Sequence, residues 1–305
     1  MAFLTIFTAP KPFTNPHINI IQRNAIQSWT RLEDVDVILI GDEPGIPEAA
    51  RELGVKNVPT VERDEKGIPL VSAVMEIGHA HSDSPLLCYA NADMILMSDL
   101  LRAARQVSQQ VKDFLLVGQR WDLDLTEPFD FNGDWESRLR LDVEKRGKFY
   151  SPWGIDFFVF PRHLYTEVPN FTIGRPAWDN WMVYHAGTTF GMAIDATLDV
   201  LVVHQNHDYS HLPGNKPPYG SEVAKSNLAK AGGRKRVYNI LDTDHELAGG
   251  RIRRPQVRLA RILRRLERFF INKEGKGWGW ELSLRLQQMQ RPLAVKPRGR
   301  YARRS

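Results

Sequence analysis

Asn91 and Asp93 stand one residue apart directly after the apolar run Leu86–Ala90. That places a carboxylate at the C-terminal end of a buried strand, the edge at which open α/β sheets bind ligands. Asp93 offers a hard anionic oxygen and Asn91 a neutral carbonyl, a pair suited to magnesium or manganese. A turn after a strand favours the same residue types, so the string alone is short evidence. A second cluster, His204-Gln205-Asn206-His207-Asp208, follows the β-type run 200–203, with Tyr209 and His211 close behind. His204 and His207 reach a common cation if the segment curves, or divide between a cation and a phosphate. An ordinary hydrogen-bonded imidazole is the bland alternative for each.

More groups with chemistry lie between these clusters. Residues 121–181 hold five of the eight tryptophans, Trp121, Trp135, Trp153, Trp178 and Trp181, together with Asp122, Asp124, Asp156 and Asp179. The rings either fill a core or stack on sugars, since an aromatic face buries apolar area and leaves a polar edge available. Asp179, in the first turn of a helix expected over 176–186, either complements the helix dipole or acts as a base.

Strand and helix patterns alternate so as to position these groups. Strands are expected at 3–8, Val35–Ile40, Leu86–Ala90, 114–117, 157–160 and 200–203, the last of them the final strand read here. Helices are expected at 18–31, 47–53, 70–81, 98–111 and 222–231, with Ser98 as an N-cap and Gly232-Gly233 as a stop. This alternation implies an α/β fold with a mostly parallel sheet flanked by helices. A chain of 305 residues with 42% hydrophobic content can bury one large core. The single cysteine, Cys88, falls inside an apolar strand, so no disulfide framework exists.

Charge divides the chain at its end. Residues 251–305 carry 17 Lys and Arg against Glu267, Glu274 and Glu281, a net +14 that leaves −9 for the rest. Within this tail Leu259, Ile262, Leu263, Leu266, Phe269 and Phe270 share one helical arc, and Arg258, Arg261, Arg264, Arg265 and Arg268 the opposite one. Such a helix lies in an anionic membrane interface, packs on the body, or docks on a partner. The crowding of arginines favours the membrane. The expected division is therefore a catalytic domain, 1–245, and a basic helical C-terminal extension, 246–305.

The order of short motifs resembles the GT-A superfamily of nucleotide-sugar glycosyltransferases. Thr8-Ala9-Pro10 follows the first strand, Gly41-Asp42 the second, and Tyr89-Ala90-Asn91-Ala92-Asp93 the Leu86–Ala90 strand. The blocks GQRWDLDL at 118–125 and GRPAWDNW at 174–181 resemble bacterial and plant glycosyltransferase-like proteins, over roughly residues 1–245. The resemblance implies a Rossmann-like sheet, a nucleoside diphosphate sugar of UDP or GDP type, and a divalent metal, Mn or Mg, bridging its diphosphate. Asn91 stands where the superfamily's motif has its first acid. Asp93 keeps the principal ligand, with His204 or His207 in the place of a later histidine ligand. Thr8, Ala9, Pro10 and Asp42 line the nucleoside side, and Asp64 is a further candidate there. Arg120 or Arg175 supplies a cation to the leaving diphosphate. Asp179 corresponds to the base of inverting relatives, with Asp156 as its rival.

The acceptor implied is a hydroxyl on a glycan or lipid-linked molecule. The start of the chain has no basic segment ahead of an apolar one, and no run reaches the roughly 18 apolar residues of a spanning helix. A cytoplasmic address follows, with attachment at the inner face of a membrane as an option. Sugar nucleotidyl transfer is a rival, but the segment 8–13 lacks the glycine-rich loop that holds a triphosphate. A non-catalytic carbohydrate- or nucleotide-binding relative is another. Nucleic acid is a poorer partner, because the apolar arc suits lipid better than a phosphate groove.

Overall fold

The computed structural model describes residues 1–207, 220–272, 275–290 and 293. Strand β1 (Leu4–Thr8) opens the chain, followed by α1 (Pro16–Thr30), β2 (Val35–Ile40), α2 (Ile46–Leu53) and β3 (Lys56–Val58). Pro16 begins α1, where a missing N–H costs nothing, and Asn15 caps it by accepting from His17 and Ile18 N–H. Next come α3 (Val71–Ala80), β4 (Leu86–Ala90), β5 (Met94–Ile95), α4 (Ser98–Ser108), β6 (Leu115–Val117), β7 (Trp121–Leu123), α5 (Trp135–Arg146) and β8 (Lys148–Phe149). Strand β9 (Phe157–Pro161), α6 (Trp178–His185), β10 (Ala193–Asp195), β11 (Val203–Gln205), α7 (Glu222–Lys230), β12 (His245–Ala248), β13 (Arg251–Arg253), α8 (Leu259–Phe270) and α9 (Gly277–Gln290) complete it.

These strands form a nine-stranded sheet ordered β13-β12-β10-β6-β9-β4-β1-β2-β3 and a four-stranded sheet ordered β5-β11-β7-β8. In the large sheet β4, β1, β2 and β3 run parallel, as do β6, β10 and β12. Strand β9 lies antiparallel between β4 and β6, and β13 is an antiparallel edge. The α/β architecture expected from the alternating pattern is present. Along β4, Leu86, Cys88 and Ala90 enter a core with α1, α2 and α4, while Leu87 and Tyr89 enter a second core with α3 and α6. Both faces are covered, which is why the strand reads as a continuous apolar run.

Several local expectations need correction. Ser98 is the first residue of α4 rather than its cap; its N–H and hydroxyl both donate to the Glu136 carboxylate, which satisfies the helix start from outside. The strand expected at 200–203 is displaced to Val203–Gln205, so His204 lies inside it, and it is not the last, since β12 and β13 extend the main sheet across position 245. Trp135, Trp178 and Trp181 are buried, so for these three rings core filling is what the fold selects. Trp135 packs with Phe129 and Phe131 in a third core beneath the small sheet.

Helix α8 docks through its arginines. The body presents Asp242 and the carbonyls of Val237, Leu241 and Thr243, groups that must find donors once covered. Arg264 is buried and meets Asp242 at 2.8 Å and the Val237 carbonyl at 2.9 Å, with its guanidinium over Trp153. Arg261 donates to the Leu241 and Thr243 carbonyls, and Arg268 to the Tyr238 hydroxyl. Intramolecular packing thus does use the arginine arc, so the crowding of arginines is not by itself a sign of a membrane.

Candidate functional site

The topology brings the end of β4, the start of β9 and the bodies of β7 and β11 to one place. β4 ends at Ala90, and a turn closed by Met94 N–H to the Asn91 carbonyl (3.1 Å) redirects the chain into β5. Because β9 is antiparallel to β4 with Phe157 opposite Ala90, its entering residue Asp156 lies beside Asn91. Strand β11 pairs antiparallel with β5, His204 opposite Met94, and parallel with β7, His204 opposite Asp122. The result is that Asp93, His204 and His207 offer ligand atoms that all lie within 4.8 Å of one another.

Asp93 Oδ2 is 3.2 Å from His207 Nε2 and 3.8 Å from His204 Nε2. Its other oxygen, Oδ1, is buried without a hydrogen-bond partner. Burial alone would raise this carboxyl, but His204, His207 and Lys11 outweigh it and hold the group well below the usual carboxylate range. The backbone carbonyl of Asp93 accepts from Gln205, which is itself fixed by Asn24. His204 Nδ1 lies 3.2 Å from Asp122 Oδ1 at an angle that misses a hydrogen bond.

Lys11, in the loop after β1, sets its ammonium 3.4 Å from His207 Nε2. Burial lowers its pKa and the Asp93 charge opposes that shift. Sequence reasoning did not count Lys11 among the site residues; a basic residue directly after the first strand was the signal available. Tyr89 was likewise missed. Its hydroxyl donates to Asn91 Oδ1 at 3.2 Å.

Asn91 is held by two neighbours. Besides accepting from Tyr89, it donates from Nδ2 to Asp156 Oδ1 at 2.7 Å. Arg120 reaches the other Asp156 oxygen at 2.6 Å, donates to Asp122 at 3.0 Å, and stacks 4.2 Å from the Tyr150 ring centre. Asn91, Arg120, Asp122 and Asp156 are thereby one network bordering the Asp93 group.

Asp179 is the second residue of α6, whose N-cap Ala177 holds φ at 92°, a left-handed conformation rare for a residue with a side chain. Its Oδ1 is buried and unpartnered. Burial pushes the carboxyl up to about 7, and the Asp156 charge adds to the rise. Thr8, at the end of β1, has a buried hydroxyl, and Ala9 and Pro10 continue from it toward Lys11.

Other expected residues sit apart from this network. Asp42 is exposed and paired with Arg63 at 2.7 Å. Asp64 caps its own loop through the Lys66 and Ile68 N–H groups and accepts from Thr172. Arg175 bonds to the carbonyl of Gly174. None of the three shares a hydrogen bond or ion pair with the Asp93 group among the described residues. Asp208, Tyr209 and His211 lie outside the described residues.

The chain is similar to crystal structures of glucosyl-3-phosphoglycerate synthase from Mycobacterium tuberculosis. The complex with Mn2+, uridine-diphosphate-glucose and phosphoglyceric acid is 15% identical, with 76% of this chain and 80% of that chain covered and a TM-score of 0.47. The complex with Mg2+ and uridine-diphosphate is 14% identical over 76% and 80%, with a TM-score of 0.44. A further crystal structure, described as a mycobacterial protein, is 15% identical over 76% and 75%, with a TM-score of 0.46. No family model and no curated protein matches the sequence.

Proposed function

We propose that this chain is a metal-dependent glycosyltransferase that moves a sugar from a UDP- or GDP-linked donor to a hydroxyl of a glycan or lipid-linked acceptor, in the cytoplasm and at the inner face of a membrane. The observation that carries this reading is the convergence of Asp93, His204 and His207, with one Asp93 oxygen buried and unpartnered, at the strand edge where the motif order puts the donor diphosphate. Two imidazoles and one carboxylate fit a divalent transition ion, and suit manganese better than magnesium, which prefers oxygen ligands. Such an ion, when bound, neutralises the negative charge that grows on the leaving diphosphate.

The chain's own residues supply the rest. Lys11, beside His207, adds a positive charge on the diphosphate side. Thr8, Ala9 and Pro10 form the nucleoside wall. Arg120 is neutralised by Asp156 and Asp122, so its role is to fix those carboxylates. Asp156 and Asn91 then orient sugar hydroxyls. Asp179, with its carboxyl near neutrality, accepts the acceptor's hydroxyl proton, which favours an inverting transfer.

One observation favours a second reading, a non-catalytic nucleotide-binding relative: Asn91 replaces an acid and spends its amide on Asp156. Melting curves with UDP or GDP, with and without Mn2+, test both. A ligand that binds only the folded state raises the melting temperature. The transferase reading expects a rise that needs nucleotide and Mn2+ together, and slow hydrolysis of the matching nucleotide sugar. A rise without hydrolysis across donors leaves the binding reading; no rise with either nucleotide sinks both.

A further inference from the structure

The arginine docking of α8 has turned four of the six residues of its apolar arc outward, while Leu263 is buried. Leu259, Ile262, Leu266 and Phe269, one stripe at helical spacing, are 56%, 43%, 46% and 79% exposed. Apart from Met1 and Leu141, every exposed large hydrophobic among the described residues lies in 257–293. A stripe of this kind marks an interaction surface.

At its C-terminal end the stripe meets a cleft of about 600 Å³ between α8 and the start of α9. Phe269, Phe270 and Trp278 form its aromatic wall, and Lys235 and Lys276 line it too. Phe270 packs edge-on against both of the other rings, so the wall is preassembled. Trp278 is 76% exposed and has its indole outside the fold.

We propose that this face of α8 and α9 docks on an anionic lipid bilayer, with the Leu259-to-Phe269 stripe among the acyl chains and a lipid phosphate held at Lys235 and Lys276. Charge selects this occupant. Among the described residues of 251–305, Arg253, Arg261, Arg264 and Arg268 are spent on the body and Glu267 on Arg264, which leaves Arg251, Arg254, Arg258, Arg265, Lys276 and Arg285 against Glu281. Two copies of this face repel each other, whereas an anionic surface attracts each basic residue near it. Trp278, an apolar indole with one polar N–H, suits the level of the headgroups. The tail residues 294–305 lie outside the described residues; they bring Lys296, Arg298, Arg300, Arg303 and Arg304, which add to the same attraction. The inference deepens the membrane placement in the proposed function and rests on it there, but it uses none of the residues around Asp93, so the two are tested separately.

Sedimentation of the full chain with phosphatidylglycerol vesicles and with phosphatidylcholine vesicles tests it. Binding is expected to the anionic vesicles, weakened by salt, and slight to the neutral ones. Leu266→Ser with Phe269→Ser changes only outward-facing side chains, so the fold persists, and it is expected to lower binding by about tenfold or more. Lys235→Gln with Lys276→Gln is expected to lower binding to anionic vesicles alone. Light scattering without lipid serves as a second measurement. A dimer broken by the Leu266 and Phe269 changes overturns the proposal in favour of a second copy. Equal pelleting of the wild type and the Leu266 and Phe269 variant overturns it too, as does failure of the wild type to bind either vesicle. Nucleotide-sugar hydrolysis is unaffected in either case, so failure here is distinct from failure of the transferase reading.

Discussion

Arg120 Nη1 lies 2.6 Å from Asp156 Oδ2, an ion pair in which both side chains are nearly buried. The pair ties the start of β7 to the start of β9 and so joins the small sheet to the large one beside the Asp93 group. Removing one partner of such a pair leaves an uncompensated charge. Arg120→Met is therefore expected to cost about 3–5 kcal/mol of folding stability, measured by urea unfolding. Asp156→Asn in the same chain should restore part of the loss. If Arg120→Met unfolds like the wild type, the pair does not join the sheets energetically.

Asp93→Asn keeps shape and removes the anionic oxygen. Loss of even an outer partner of a metal ligand costs about 10–100-fold in affinity, so this change is expected to weaken Mn2+ binding by at least ~100-fold. Titration calorimetry of the metal alone reads the effect without any donor. Unchanged affinity removes Asp93 from the ligand set.

Asp179 makes stability and rate depend on pH in opposite directions. Its carboxyl is pushed up to about 7 by burial, against 3.8 as an ordinary aspartate. Between those values the folded chain keeps a proton that the unfolded chain has released. Stability therefore falls as pH rises from about 4 to 7 and levels off above. Asp179→Asn should flatten that slope and gain up to ~4 kcal/mol at pH 8. Transfer needs the deprotonated base, so wild-type kcat/KM should climb through pH 7, and the variant should lose about 10²–10⁴-fold while still binding nucleotide. Transfer retained in Asp179→Asn would exclude the base role.

Arg264 sits between Asp242 and Glu267 with 1% of its side chain exposed. Arg264→Met leaves the buried Asp242 with the more distant Arg268 at 3.6 Å and Glu267 with only the Gln290 amide, and a cost of about 3–5 kcal/mol is expected. Hydrogen exchange should show α8 opening before the central strands. Equal protection of α8 in variant and wild type would mean that its other arginines suffice.

The alternating pattern made the large sheet readable because β4 and β1 are buried on both faces, and apolar runs of that length have few other uses. The motif at Asn91 and Asp93 was readable for the same reason: it ends such a run. Gln205 and His204 were harder. Their strand is three residues long, and its register depends on the small sheet, where its pairing with β5 joins segments more than a hundred residues apart.

From residue types alone came the α/β class, the basic tail, the amphipathic period of α8 and the set of groups able to hold a cation. The tertiary structure decided which of them meet. Pairing of β9 with β4 set Asn91 against Asp156, and β11 against β5 delivered both histidines to Asp93. It also decided which way α8 faces, because the carbonyls and Asp242 beneath it needed donors that only its arginines offer. Periodicity states that a helix has two faces; which one is buried depends on the chemistry of the surface that receives it.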